Sequence, residues 1–197
     1  FYKADLGIGV KLHDLRDEFC MFVIAYEPYV KNDTNAHVTV SSWKRIDDNV
    51  IPARGKVAGA YANSALIKTD ANRAGFDEAL VLDNNGHISE GSAMNIFMLR
   101  DGILVTPPVT DNILEGITRR SVIELARSEL GLTVMERSID RTEVFICEEM
   151  FMTGTAAQII AVTKIDHRPV GQGVMGPITT QLRALYEPFD ARAFVRR

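Results

Sequence analysis

The chain has 197 residues, 46% of them hydrophobic and 24% charged, which is ordinary globular composition with enough apolar chain for a sizeable core. The net charge is −4 and basic residues never gather in a large cluster, so nucleic acid is not an expected partner. Apolar runs are short and interrupted, and no secretory leader is visible. Neither a membrane span nor export is therefore expected, and the cytoplasm is the expected compartment.

In chain order, Phe19 to Tyr26 is a continuous apolar run and reads as a strand buried on both faces. His37 to Trp43 alternates and is β-branched, which predicts a second strand. A polar loop then leads to Lys56. Tyr61 to Arg73 has helical composition, with Ala62, Leu66 and Ala71 as its expected apolar stripe and Gly75 as its stop. Ala79–Leu82 and Ile88–Ser89 flank the turn Asp83-Asn84-Asn85-Gly86. Asn95–Leu99 and Ile103–Val105 flank Asp101-Gly102, so two hairpins are expected.

Thr118 to Leu130 is amphipathic, with Val122, Leu125 and Ala126 on one side and Gly131 beyond its end. Leu132–Met135 reads as a strand, and Asp140 as the cap of a short helix through Cys147. Met150–Met152 and Gln158–Val162 are strands around Gly154-Thr155, and Gly176-Pro177 opens a last helix to about Tyr186. Runs of strands with helices between them predict one α+β domain over residues 1–197, a mixed sheet with helices packed on it. Cys20 and Cys147 sit in apolar surroundings and are expected as buried free thiols.

The chemistry concentrates between Lys56 and Glu90. Lys56 lies between Gly55 and the small residues Val57, Ala58 and Gly59, where an amine can be held in a crowded place and stay reachable. Lysine amines become nucleophiles once burial or neighbouring cations lower their pKa. Glu90 precedes a Gly-Ser-Ala turn, which suits a carboxylate projecting from a strand end. A lysine and a carboxylate from separate elements are what pyridoxal phosphate chemistry requires, one for the Schiff base and one to keep the pyridine nitrogen protonated. Further on, Gly116-Ile117-Thr118 opens an amphipathic helix, whose first N–H groups have no intrahelical partner and can hold a dianion. Taken alone, Thr118 reads first as a simple N-cap. The four histidines share no metal-ligand spacing, so no metal site is expected.

Lys56-x-x-Gly59-x-Tyr61-x-Asn63-Ser64, Gly75-Phe76-Asp77-Glu78-Ala79, Ser89-Glu90-Gly91-x-x-x-Asn95-Ile96-Phe97, Leu114-Glu115-Gly116-Ile117-Thr118-Arg119 and Thr153-Gly154-Thr155-Ala156-Ala157 resemble, in order and spacing, the fold-type IV aminotransferases. The branched-chain amino acid aminotransferases fit best. The resemblance implies a barrel-like mixed sheet and pyridoxal 5'-phosphate held by Lys56, Tyr61, Glu90, Ile117, Thr118, Gly154 and Thr155. It also implies a substrate carboxylate met by Tyr61, Thr155, Ala156 and Ala157, with Lys56 catalytic. Asn95 is expected to support the site and Arg119 to brace its loop, while Tyr26 to Val30 is expected to line the side-chain pocket.

The reaction so implied moves the amino group of leucine, isoleucine or valine to 2-oxoglutarate, in a homodimer or higher homo-oligomer. Family members carry a smaller N-terminal domain, of roughly a hundred residues by ordinary domain size, ahead of the position of Phe1. It brings an arginine to the cofactor phosphate, so residues 1–197 are expected to be the larger C-terminal domain without it. D-amino acid or (R)-amine transaminases and aminodeoxychorismate lyase share the same cofactor residues. A non-catalytic assembly domain is the rival from another class.

Overall fold

A computed structural model describes residues 1–25, 30 and 33–187. Two short strands, β1 (Tyr2–Lys3) and β2 (Asp17–Glu18), pair antiparallel as a separate two-stranded sheet. The main sheet is built from β3 (Ala36–Lys44), β4 (Glu78–Leu82), β5 (Ile88–Gly91), β6 (Asn95–Arg100), β7 (Ile103–Thr106), β8 (Val134–Glu136), β9 (Glu149–Gly154), β10 (Gln158–Ile165) and β11 (Arg168–Pro169). Among the described residues three α-helices accompany it: α1 (Tyr61–Arg73), α2 (Ile117–Ser128) and α3 (Pro177–Tyr186). Strand order is β5-β4-β3-β10-β9-β6-β7-β8, with β11 beside β10. Pairing is parallel at β3–β4, β3–β10 and β7–β8 and antiparallel elsewhere. The sheet curls so that β5 approaches β6, and Gly91 N–H donates to Met94 O at 2.7 Å across the turn between them. The α+β architecture and the barrel-like mixed sheet are thus as expected.

The period of two along the central strands decides which core each side chain enters. Ile96 and Met98, with Met150 and Met152, join the core that also holds Val38, Leu80 and Val162. Phe97 and Phe151, between them in sequence, point the other way and pack with Val122, Ala126 and Leu182 of α2 and α3. These two rings are cross-strand partners and stack at 5.0 Å with planes 10° apart. A third cluster seats Ile67 and Ala71 of α1 on Ala79 and Val81 of β4. The Asp101-Gly102 turn takes φ of +51° and +73°, the left-handed pair that two-residue hairpin turns need.

Four expectations are corrected. Residues 19–25 form no strand, and Phe22 and Val23 are exposed. An apolar run becomes a buried strand only where a partner strand covers it, and none of the described residues does. Cys20 is exposed for the same reason, while burial pushes the Cys147 thiol up to about 12. The buried stripe of α1 is Ser64, Ile67 and Ala71, with Leu66 46% exposed. In that helix small residues occur on both sides, and the side facing β4 and the cleft carries the serine. Between Asp140 and Cys147 only Glu143–Phe145 is helical, as a single 3-10 turn. No helix among the described residues is long and apolar enough to cross a membrane.

Candidate active site

The curl of the sheet leaves a cleft of about 240 Å³ lined by Lys56, Tyr61, Glu90, Ile117, Thr118, Gly154 and Thr155. An adjoining cavity shares Lys56, Tyr61 and Thr155 with it and adds Ala156 and Ala157. These residues arrive from several separate pieces of chain. Lys56 lies in the loop before α1, and Tyr61 is the first residue of that helix. Glu90 sits near the end of β5, and Asn95 opens β6. The register Asn95↔Thr153 sets that strand entry beside the Thr153-Gly154 exit of β9. Residues 26–29, expected to line a side-chain pocket, lie outside the described residues, and Val30 is buried in the main core.

Glu90 is 3% exposed and serves no turn on the surface. Its Oε1 pairs with the Arg45 guanidinium at 2.8 Å. Its Oε2 accepts from Leu114 N–H at 3.1 Å and from Asn95 Nδ2 at 3.2 Å. Burial pushes the Glu90 carboxyl up to about 7, against the opposing pull of Arg45 and Leu114 N–H. A carboxyl poised there is ready to become fully ionised once a further cation approaches. Arg45 escapes sequence reasoning because it stands just beyond β3, far upstream of Glu90, with no motif around it. Its Nε also donates to Asn112 O at 3.1 Å, tying the β3 exit to the loop ahead of α2.

Removing Arg45 should strand that carboxylate. Arg45→Met is expected to destabilise the protein by about 3–5 kcal/mol where Glu90 is charged. The loss should be smaller near pH 5, where Glu90 takes a proton instead. Chemical denaturation of both proteins at pH 5 and pH 8.5 measures it, and a loss independent of pH would mean that Arg45 acts through Asn112 alone.

Helix α2 begins after Gly116, which has extended backbone and provides no side-chain cap. Thr118 is therefore not the N-cap; its hydroxyl lies 3.1 Å from the Tyr186 hydroxyl. A Cβ on Gly116 would run into the Asn95 amide oxygen, so glycine is required for α2 to start this close to β6. Asn95 supports the site by bonding Leu114 O at 2.8 Å as well as Glu90. Arg119 braces the loop, donating to Pro107 O at 2.9 Å and pairing with Glu136 at 2.6 Å.

Two buried hydroxyls in the cleft, Ser92 Oγ and Thr153 Oγ1, have no hydrogen-bond partner among the described residues. Buried polar groups are rarely left so. With the uncapped N-terminus of α2, they give the cleft capacity for a polar, anionic ligand. Away from it, folding brings His87 together with Asp83 and Asp111. Histidine spacing does not reveal that grouping, because two of its three members are aspartates.

An α+β half-barrel whose cleft joins a lysine, a buried carboxyl and an uncapped helix N-terminus defines a binding site for an anionic ligand. The chain matches the family model "Amino-transferase class IV" over residues 3–165 and belongs to that family. It is 46% identical over 185 residues to a probable branched-chain-amino-acid aminotransferase of Aquifex aeolicus, covering 94% of this chain and 60% of that protein. Identity to the branched-chain-amino-acid aminotransferase of Salmonella typhimurium is 42% over 154 residues, covering 78% of this chain and 50% of that one. Among solved structures, the Escherichia coli branched-chain amino acid aminotransferase superposes with a TM-score of 0.82 at 38% identity, covering 85% of this chain and 56% of that chain. The branched-chain amino acid aminotransferase from Thermobaculum terrenum, in its PLP-bound holo form, superposes with a TM-score of 0.79 at 42% identity, covering 84% and 53%. The chain thus spans between half and three-fifths of the length of these relatives.

Proposed function

We propose that this chain carries the cofactor site of a pyridoxal phosphate-dependent transaminase acting on branched-chain L-amino acids, with 2-oxoglutarate as acceptor. The observation that supports it most is the meeting of Lys56, Glu90 and the α2 N-terminus in one cleft, within a family whose similar members are named for that activity. The residues present fit the group. The N–H groups of Ile117 and Thr118 and the Thr155 loop would hold its phosphate, Tyr61 its ring oxygen and Glu90 its ring nitrogen. Ser92 and Thr153 would gain the partners they lack. Bound there, pyridoxal phosphate supplies an electron sink for charge developing on the substrate α-carbon.

The protein's own share of the work is proton and charge placement. Lys56 Nζ would anchor the cofactor and, once released from it, carry a proton from the substrate α-carbon to C4′ of the cofactor, the opposite half-reaction running the same transfer in reverse. Glu90, held by Arg45, Leu114 and Asn95, keeps a proton on the ring nitrogen. Thr155, shared by the two cavities, and Ala156 and Ala157, which line the second, would offer backbone and hydroxyl donors to a substrate carboxylate. The reading carries with it a homodimer or higher homo-oligomer in the cytoplasm, and a smaller N-terminal domain beside this larger one.

The full-length protein should turn over L-leucine, L-isoleucine and L-valine with 2-oxoglutarate, at least about tenfold faster than D-alanine or an (R)-amine, a margin of the size that pocket contacts supply. Glutamate formation from each donor measures it. Preference for D-alanine or the amine would replace this reading with that of the D-amino acid or (R)-amine transaminases. Absence of any borohydride-fixed cofactor would favour the non-catalytic assembly domain.

A further inference from the structure

At the neck of the β4–β5 hairpin stands a second set of ionisable side chains that the proposed reaction does not use. Asp83 follows β4, His87 precedes β5, and Asp111 lies in the loop ahead of α2. The two aspartates are 2% and 7% exposed, and His87 is half-buried. One donor atom from each residue lies within 4.8 Å of the other two. Asp83 is partly served, since Oδ1 accepts His87 N–H at 2.9 Å and Oδ2 accepts Asn85 Nδ2 at 3.3 Å. Asp111 is not: its Oδ2 is buried with no hydrogen-bond partner among the described residues. A buried carboxylate oxygen left unserved is among the least tolerated of side-chain states.

The imidazole is set for the same role. Its Nδ1 faces Asp83 Oδ2 at 4.0 Å, and its Nε2 faces a third carboxylate, Asp140 Oδ1, at 3.6 Å. A β-bridge between His87 and Asp140 holds that arrangement in the backbone. One ring nitrogen toward the donor cluster and the other backed by a carboxylate is how metal-ligating histidines are oriented.

We propose that Asp83, His87 and Asp111 form a site for a divalent transition-metal ion. Two carboxylate oxygens and one imidazole nitrogen suit Zn2+ or Mn2+ better than Ca2+ or Mg2+, which favour all-oxygen shells. Donor atoms up to 4.8 Å apart stand wider than those around such an ion, so binding draws the half-buried imidazole inward between the two aspartates. The ion would clip the hairpin that carries Glu90 to the loop that carries Leu114, whose N–H holds Glu90.

The test is metal analysis and thermal melting of EDTA-extracted protein, with Zn2+ and then Mn2+ as probes. One equivalent should bind and raise Tm by roughly 5–10 °C at a free ion concentration about a hundredfold above Kd. Asp111→Asn should abolish both effects. The extracted variant should also melt above extracted wild type, because the unserved charge has gone. If Asp111→Asn does not fold, His87→Gln, at a less buried position, must still lose at least about tenfold in affinity, the usual cost of disturbing a metal's ligand set. An equal response from wild type and variant, or no retained ion and no shift in wild type, overturns the proposal.

Discussion

Lys56→Ala is expected to leave a folded protein that no longer fixes pyridoxal phosphate on borohydride reduction and has lost transamination by at least ~10³-fold. Proton transfer by one positioned side chain alone contributes roughly 10²–10⁴-fold, and this substitution removes covalent anchoring with it. Stability should move by no more than about 0.5 kcal/mol, because Lys56 is an exposed loop residue. The competing amine is Lys68, which lines the adjoining cavity. It is already committed, pairing with the fully buried Glu78 at 2.9 Å and donating to Asp77 O at 2.6 Å. Mass analysis of reduced, digested protein decides between them. A reduced adduct persisting in Lys56→Ala, on Lys68 or any other lysine, would remove Lys56 from the role.

What the sequence reveals and what it hides separate along a physical line. The loops of the site are legible because their chemistry is local. Gly55-Lys56, Gly116 before an amphipathic helix, and Gly154-Thr155 after an apolar strand each state their requirement within a few residues. The strands are legible from period two, which sends Phe97 and Phe151 to one side and Ile96, Met98, Met150 and Met152 to the other. Features that depend on a distant partner are not legible. Arg45 matters only because β3 and β5 flank β4 in the sheet, and nothing in its neighbours announces that. The Phe19–Ile24 run has strand composition but lacks, among the described residues, a strand to pair with. The buried side of α1 departs from its apolar pattern because one of its members, Ser64, lines the cleft, so burial there follows the site and not hydrophobicity.

Glu90→Gln is the sharpest test of how the protein controls charge at the ring. Glu90 Oε2 meets two donors, Leu114 N–H and Asn95 Nδ2, while Oε1 meets the Arg45 guanidinium. A glutamine can offer its oxygen to only one side. With the oxygen kept toward Leu114, its amide NH2 faces Arg45, and the ring nitrogen loses the negative charge that favours its protonated form. Turnover should fall by roughly 10²–10³-fold, the usual cost of one preorganised electrostatic partner, while cofactor affinity changes less than tenfold, because the residues proposed to hold the phosphate are untouched.

The same substitution has a second signature in the cofactor-free protein. Burial raises the Glu90 pKa from 4.5 to about 7, so between those values the folded state keeps a proton that the unfolded chain has released. Stability then falls as pH rises through that window, by about 3 kcal/mol at full ionisation. Below pH 4.5 this group adds no penalty, and above pH 7 the penalty is complete. Glu90→Gln should abolish that slope. Single-turnover kcat with L-leucine, set beside denaturation curves at pH 4.5, 6 and 7.5, reads both signatures. An unchanged kcat with the pH slope abolished would make Glu90 a buried structural acid and place the control of the ring nitrogen elsewhere.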